Sequence, residues 1–181
     1  LESLTWDGAP EVTFTRPAGH GTMWSRSWVN AVDQFERRFP ESYRLVQNDG
    51  RGMIIQGTHE WADYAVSAIL TPHMAQAVGL GVRVQGLRRY YALMLSEQGR
   101  ASLIKVLDGE KIVVQSPIDW ELERAYILYV QVVGTRIQAW LDNTLLFDVY
   151  DDDLTLSTGG IALLCQEGCM GCNAVSVCPP N

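Results

Sequence analysis

The sequence predicts an all-β protein, a jelly-roll sandwich of two antiparallel sheets. Short apolar runs with period-two alternation recur along the chain, separated by Gly, Pro and Asp-Gly turn signals about every ten residues. Almost no stretch carries the 3.6-residue periodicity of an amphipathic helix. The clearest segment is 78–106, VGLGVRVQGLRRYYALMLSEQGRASLIKV, which reads as three successive strands with turns at Gly86 and Gly99. Leu80, Val82 and Val84 alternate with Gly81, Arg83 and Gln85. The next strand sends Tyr90 and Tyr91 to opposite faces. Alternation of this kind on the strands of both sheets favours a sandwich over a barrel.

The other elements follow in order. Residues 1–40 form an irregular segment that packs on the sandwich, with Trp6, Trp24 and Trp28 set among Gly, Pro and Ser. Within it, 11–15 reads as a first strand closed by Pro17 and Gly19. Residues 28–39 carry spacing compatible with a short helix that Pro40 would end. Residues 43–46 and 53–56 read as two strands joined by a hairpin turn at Asn48-Asp49-Gly50. A strand at 64–70 stops before Pro72. Asp108-Gly109 turns the chain into 111–115, which Pro117 closes. Residues 126–133 and 136–141 form a hairpin about Gly134, Asp142-Asn143 leads into 145–149, and strands at 160–165 and 174–178 complete the set. The whole chain, 1–181, is expected to be one domain with ample residues for a core.

Composition narrows the function. Fourteen basic against 21 acidic residues leave a net charge of -7, which disfavours nucleic acid or an anionic membrane as a partner. No apolar run reaches the ~20 residues of a membrane-spanning helix. No basic segment followed by an apolar stretch marks a secretory signal, so a cytoplasmic location is favoured. A start at Leu1 rather than methionine reads as a processed form or an excised domain. The first 164 residues contain no cysteine, so disulfides do not frame the fold.

Five stretches carry a resemblance: 79–85 (GLGVRVQ), 89–93 (RYYAL), 126–134 (YILYVQVVG), 137–142 (IQAWLD) and 159–163 (GGIAL). In this order and spacing the chain resembles concanavalin A-like domains, the lectin, laminin-G-type and glucanase jelly rolls. With 61–64 (WADY) added, it is also similar to the β-sandwich appended to some bacterial ADP-ribosylglycohydrolase-family proteins. The resemblance spans roughly residues 43–177. It implies a concave sheet face where related domains bind glycans, and a possible catalytic domain in the same parent chain. It implies no catalytic residue, because a fold does not fix a function.

Eight side chains are candidates for a saccharide-binding face: Arg83, Gln85, Arg89, Tyr91, Tyr129, Gln131, Gln138 and Trp140. Planar aromatics stack on sugar rings, while Arg and Gln offer directional hydrogen bonds to hydroxyls. The same residues also fit an ordinary solvated face whose rings cover cross-strand neighbours. A glucanase needs two carboxylates flanking the scissile bond. The nearest runs, Glu60-Trp-Ala-Asp63, Glu121-Leu-Glu123 and Asp151-Asp-Asp153, do not repeat the family's spacing. His20, His59 and His73 lie in loop-like segments, and no nucleophile elbow is present. Asp148, Asp151 and Asp153 could hold a structural calcium or form a solvated acidic turn. Cys165, Cys169, Cys172 and Cys178 could bind zinc, with disulfides or reduced thiols as the alternatives. The leading expectation is a non-catalytic carbohydrate-recognition module. A glycan-active hydrolase with an atypical site near Glu60 and Asp63, and an accessory domain without its own ligand, are the other two readings.

Overall fold

The computed structural model describes residues 10–19, 21–152 and 156–181. They form thirteen strands: β1 (Val12–Thr15), β2 (Val29–Ala31), β3 (Gln34–Glu36), β4 (Tyr43–Gln56), β5 (Tyr64–Pro72), β6 (Ala77–Gly86), β7 (Arg89–Ser96), β8 (Arg100–Leu107), β9 (Glu110–Pro117), β10 (Tyr126–Val133), β11 (Arg136–Leu141), β12 (Thr144–Tyr150) and β13 (Gly160–Cys178). One 3₁₀ turn, Met23–Ser27, is the only helical element among the described residues.

Two strands run through both layers. The first half of β13 lies between β6 and the second half of β4, in a sheet that continues through β7, β8 and β9. The second half of β13 pairs with β5, the first half of β4 and β1, in a sheet that continues through β10, β11 and β12. The crossing point is a bulge. Register slips between Gln166 and Gly168 on β13, where Gly168 has φ +141° and Glu167 φ +40°. A Cβ at Gly168 would fall on the Met74 carbonyl oxygen, so the bend requires glycine.

This explains two departures from the sequence reading. Asn48-Asp49-Gly50 does not close a hairpin, because the strands on either side both pair with β13 and continue as β4. Likewise, the strands expected at 160–165 and 174–178 are the two ends of one 19-residue strand. The helix-like spacing at 28–39 resolves into β2 and β3, which pair with β4. There Trp28 and Phe35 serve an aromatic cluster around Tyr43, with ring centroids 5.0 and 6.0 Å away.

The core lies between the layers. Tyr126, Leu128, Val130 and Val132 of β10 face Val78, Leu80 and Val82 of β6, along with Tyr91, Leu93 and Leu95 of β7. Alternation then leaves Ile127, Tyr129, Gln131 and Val133 on the outer face of the sheet that holds β10, β11 and β12.

Candidate functional site

The outer face of the β10–β11–β12 sheet carries a groove of about 550 Å³. Its wall is built by register. Tyr129 on β10 stands opposite Ser67 on β5 and Trp140 on β11. One row along, Gln131 stands opposite Ala65 and Gln138, and Gln138 opposite Asp148 of β12. The neighbouring outward positions on β13 are Ser176 and Cys178, paired with Ser67 and Ala65. Tall aromatic and amide side chains therefore stand beside a floor of small ones, and the step between them is the groove.

The wall is ordered by contacts among its own members. The Tyr129 and Trp140 rings meet edge to face at 4.9 Å. The Tyr129 hydroxyl donates to Gln131 Oε1 at 3.1 Å, and Gln131 Nε2 donates to Gln138 Oε1 at 3.4 Å. Gln138 Nε2 in turn donates to Asp148 Oδ2 at 3.1 Å. Asp148 is gripped by Arg136 through two parallel bonds of 2.8 and 2.6 Å. That grip holds the Asp148 carboxyl below its usual range. Asn181 closes the far end, donating its backbone N–H to Gln131 Oε1 and its amide to the Tyr129 hydroxyl. Burial, with Cys178 alongside, raises the Tyr129 phenol above its ordinary value, so it stays protonated and able to donate.

Four of the eight sequence candidates, Tyr129, Gln131, Gln138 and Trp140, meet here. The other four do not. Arg83 has φ +49°, and register slips beside it, so the alternation of β6 shifts by one residue. Arg83 thereby turns inward, 2% exposed, and Val84 goes to the outer face. The Arg83 guanidinium donates to the carbonyls of Ala62 and Leu156 and faces Asp63 at 3.4 Å. Its backbone N–H donates to the Tyr64 hydroxyl at 2.7 Å. Tyr91 is also a core residue. It shares parity with Leu93 and Leu95, a signal present in the sequence, and its hydroxyl donates to Asp151 Oδ2 at 2.7 Å. Gln85 donates to the Thr158 carbonyl and accepts from Arg89, which also faces Asp108 at 3.6 Å. Gln85 and Arg89 thus lie on the opposite sheet. The groove residues the sequence reading missed are Ser67, Ile127, Asn143 and Asn181. Parity within 64–70 places Ser67 outward, but nothing local ties it to Tyr129.

The outer face of the sheet that holds β6, β7, β8 and β9 is different in kind. Met53, Tyr90, Ala92, Met94, Ile104 and Leu164 form an apolar cluster there, already buried. Its depression is about 170 Å³ and is rimmed by Arg51, Glu110 and Gln166, with no exposed aromatic ring among its lining residues.

The described residues weighed for metals have other partners. Asp148 is held by Arg136 on the outer face, whereas Asp151 sits 2.7 Å from Lys105 and from the Tyr91 hydroxyl. The two carboxylates serve different cations. Asp153 lies outside the described residues. Cys165 and Cys172 face the core, and all four thiols are free. Cys172 Sγ donates to the Ala174 carbonyl at 3.3 Å, and Cys178 lies beside Tyr129. No group of three or more His, Cys, Asp or Glu suited to a metal occurs among the described residues. Trp61 and Trp120 are packing residues, against Tyr64 at 5.9 Å and Tyr126 at 5.8 Å. Of the acids weighed for hydrolysis, Asp63 is engaged by Arg83 and by the Gly134 N–H.

No protein-family model and no curated protein matches the chain in sequence. Solved structures do match it. The carbohydrate-binding module CBM66 from Bacillus subtilis superposes with a TM-score of 0.76 at 16% identity, over 84% of this chain and 95% of that one. A Bacillus subtilis protein of unknown function with a galectin-like fold gives 0.71 at 12% identity, over 95% and 96%. The Ca²⁺-bound exoplasmic/lumenal domain of VIP36 gives 0.62 at 12% identity, over 93% and 90%. The fold is a concanavalin A-like jelly roll. These likenesses establish the architecture expected from the five stretches, and the site must be argued from its own residues.

Proposed function

We propose that this protein is a non-catalytic carbohydrate-binding module that takes a saccharide in the Tyr129–Trp140 groove. One observation carries the reading: two partly exposed aromatic rings stand beside a hydrogen-bonded row of amides on one sheet face. A sugar ring has an apolar face of C–H groups and a rim of hydroxyls. The rings offer a surface for the first, and Gln131, Gln138 and Asn143 offer donors and acceptors for the second. None of the lining side chains is a carboxylate, so they offer no acid–base pair for glycoside cleavage. The structural likeness to a protein described as a carbohydrate-binding module supports the same reading.

A glycan array followed by calorimetric titration tests it. The expected result is saccharide binding that Trp140→Ala abolishes or weakens by at least about tenfold, the scale of an interface anchor. Binding that survives unchanged in both Trp140→Ala and Tyr129→Ala would overturn the assignment, as would the absence of any glycan ligand.

A further inference from the structure

We infer that the groove selects an uncharged oligosaccharide laid along β10, and that it discriminates against acidic glycans locally. This inference rests on the saccharide reading above.

The first observation concerns length. The groove continues into a second compartment of about 140 Å³, lined by Gln131, Val133, Arg136 and Gln138. Gln131, Gln138 and Asn181 belong to both. The combined cleft follows the outward residues of β10 from Ile127 to Val133. At about 3.3 Å per residue that is a path of roughly 20 Å, several times the width of one sugar ring.

The second observation concerns charge. Among the side chains lining the main groove none is an acid or base apart from the Tyr129 phenol, which is kept protonated. Arg136 is the one charged side chain in the second compartment, and two bonds engage it with Asp148. An acidic ligand entering here would lose water and meet, as the one cation among the described residues lining the two compartments, an Arg136 already paired with Asp148. A neutral chain of hydroxyls meets the opposite situation. The amides of Gln131 and Gln138 are oriented in advance by the bonds running from Asp148 to Tyr129, so little side-chain freedom is lost on binding.

The test uses the whole chain on an array carrying neutral, uronate, sulfated and sialylated glycans. It is run at low salt and at about 1 M salt, where charges more than about 3 Å apart are screened. The best neutral glycan is then titrated as mono-, di- and trisaccharide. The expected result is that acidic forms of a bound glycan are weaker by about tenfold or more at both salt concentrations, and that affinity rises from mono- to trisaccharide. A second variant, Ser67→Lys, places a cation on the groove floor three strands away from Asp148 and is expected to recover acidic glycans. Acidic glycans bound as tightly as neutral ones overturn the inference and leave the saccharide reading standing. Discrimination that disappears at high salt also overturns it, assigning the effect to the overall charge of -7. A monosaccharide bound as tightly as the trisaccharide removes the extended site. Failure of every glycan removes the saccharide reading itself.

Discussion

Tyr129 and Trp140 stand directly opposite each other on β10 and β11, their rings meeting edge to face with centroids 4.9 Å apart. Neither ring belongs to the core, which Leu128, Val130, Ala139 and Leu141 fill from the other side of the same strands. Removing either ring should therefore separate binding from stability. Trp140→Ala should lower saccharide affinity by about tenfold or more while the melting temperature stays close to wild type. Tyr91→Ala, on the buried side of β7, should cost about 3–5 kcal/mol of stability through the cavity it leaves. Denaturant titration of both variants checks this. A Trp140→Ala protein destabilised as much as Tyr91→Ala would show that the ring is structural.

The Arg136–Asp148 pair makes a prediction about pH. Asp148 ordinarily titrates near 3.8 and is held lower in the folded protein, first by the Arg136 bonds. A carboxyl with a depressed folded value contributes stability that is fully present above its unfolded value and lost as pH falls through the folded one. The melting-temperature gap between wild type and Asp148→Asn should accordingly be open at neutral pH and close below pH 3.8. A gap that persists at lower pH would falsify the assignment. Because Asp148 also orients Gln138, the same variant should weaken saccharide binding at neutral pH, and Asp148→Glu should restore part of it.

The thiols should react in an order set by position. Burial pushes Cys165 and Cys172 up to about 12, leaving almost no thiolate at neutral pH. Cys178 is only half-buried and lies beside Tyr129. A thiol reagent counted by mass spectrometry should add to Cys178 first in the native protein, and to Cys165 and Cys172 only on unfolding. Early labelling of Cys165 would contradict the position of β13 in the core. Bound saccharide should slow the reaction at Cys178.

Gly168 and Gly50 form a matched pair. Both have positive φ, +141° and +65°, but a Cβ meets the Met74 backbone at the first and open space at the second. Gly50→Ala should cost about 1–2 kcal/mol, the strain of the left-handed conformation alone. Gly168→Ala should cost more than that, because the bend that carries β13 between sheets must also shift. Equal losses in urea titrations would mean that the crossing tolerates a side chain.

The buried hydroxyl of Tyr64 gives a final prediction. It accepts from the Arg83 N–H and lies 2.8 Å from the Gly160 carbonyl, tying β5 to β6 and to the start of β13. Tyr64→Phe leaves both groups buried with one partner fewer and should cost about 1–3 kcal/mol.

Much of the architecture was legible because strand alternation is a local property. Tyr129, Gln131, Gln138 and Trp140 lie on uninterrupted strands, where parity against Leu128, Val130, Ile137 and Ala139 sends them outward. Parity failed at Arg83, where one residue in the left-handed region reverses the count and brings a guanidinium inside. Asp-Gly at 49–50 failed for a related reason: a turn signal states what the backbone can do, and a long partner strand overrode it.

The sequence by itself determined the all-β class, most strand positions, the net charge of -7 and half of the groove's lining. Only the tertiary structure decided that β4 and β13 each run through both sheets, that Asp148 and Asp151 serve different cations, and that Ser67 and Asn181 come to Tyr129. Side-chain parity is written in neighbouring residues, whereas cross-strand register depends on partners as far as 163 positions apart or more, as between Thr13 and Ser176. Tyr129 and Trp140 were readable as outward-facing rings; the groove they line exists because small residues from distant strands were placed beside them.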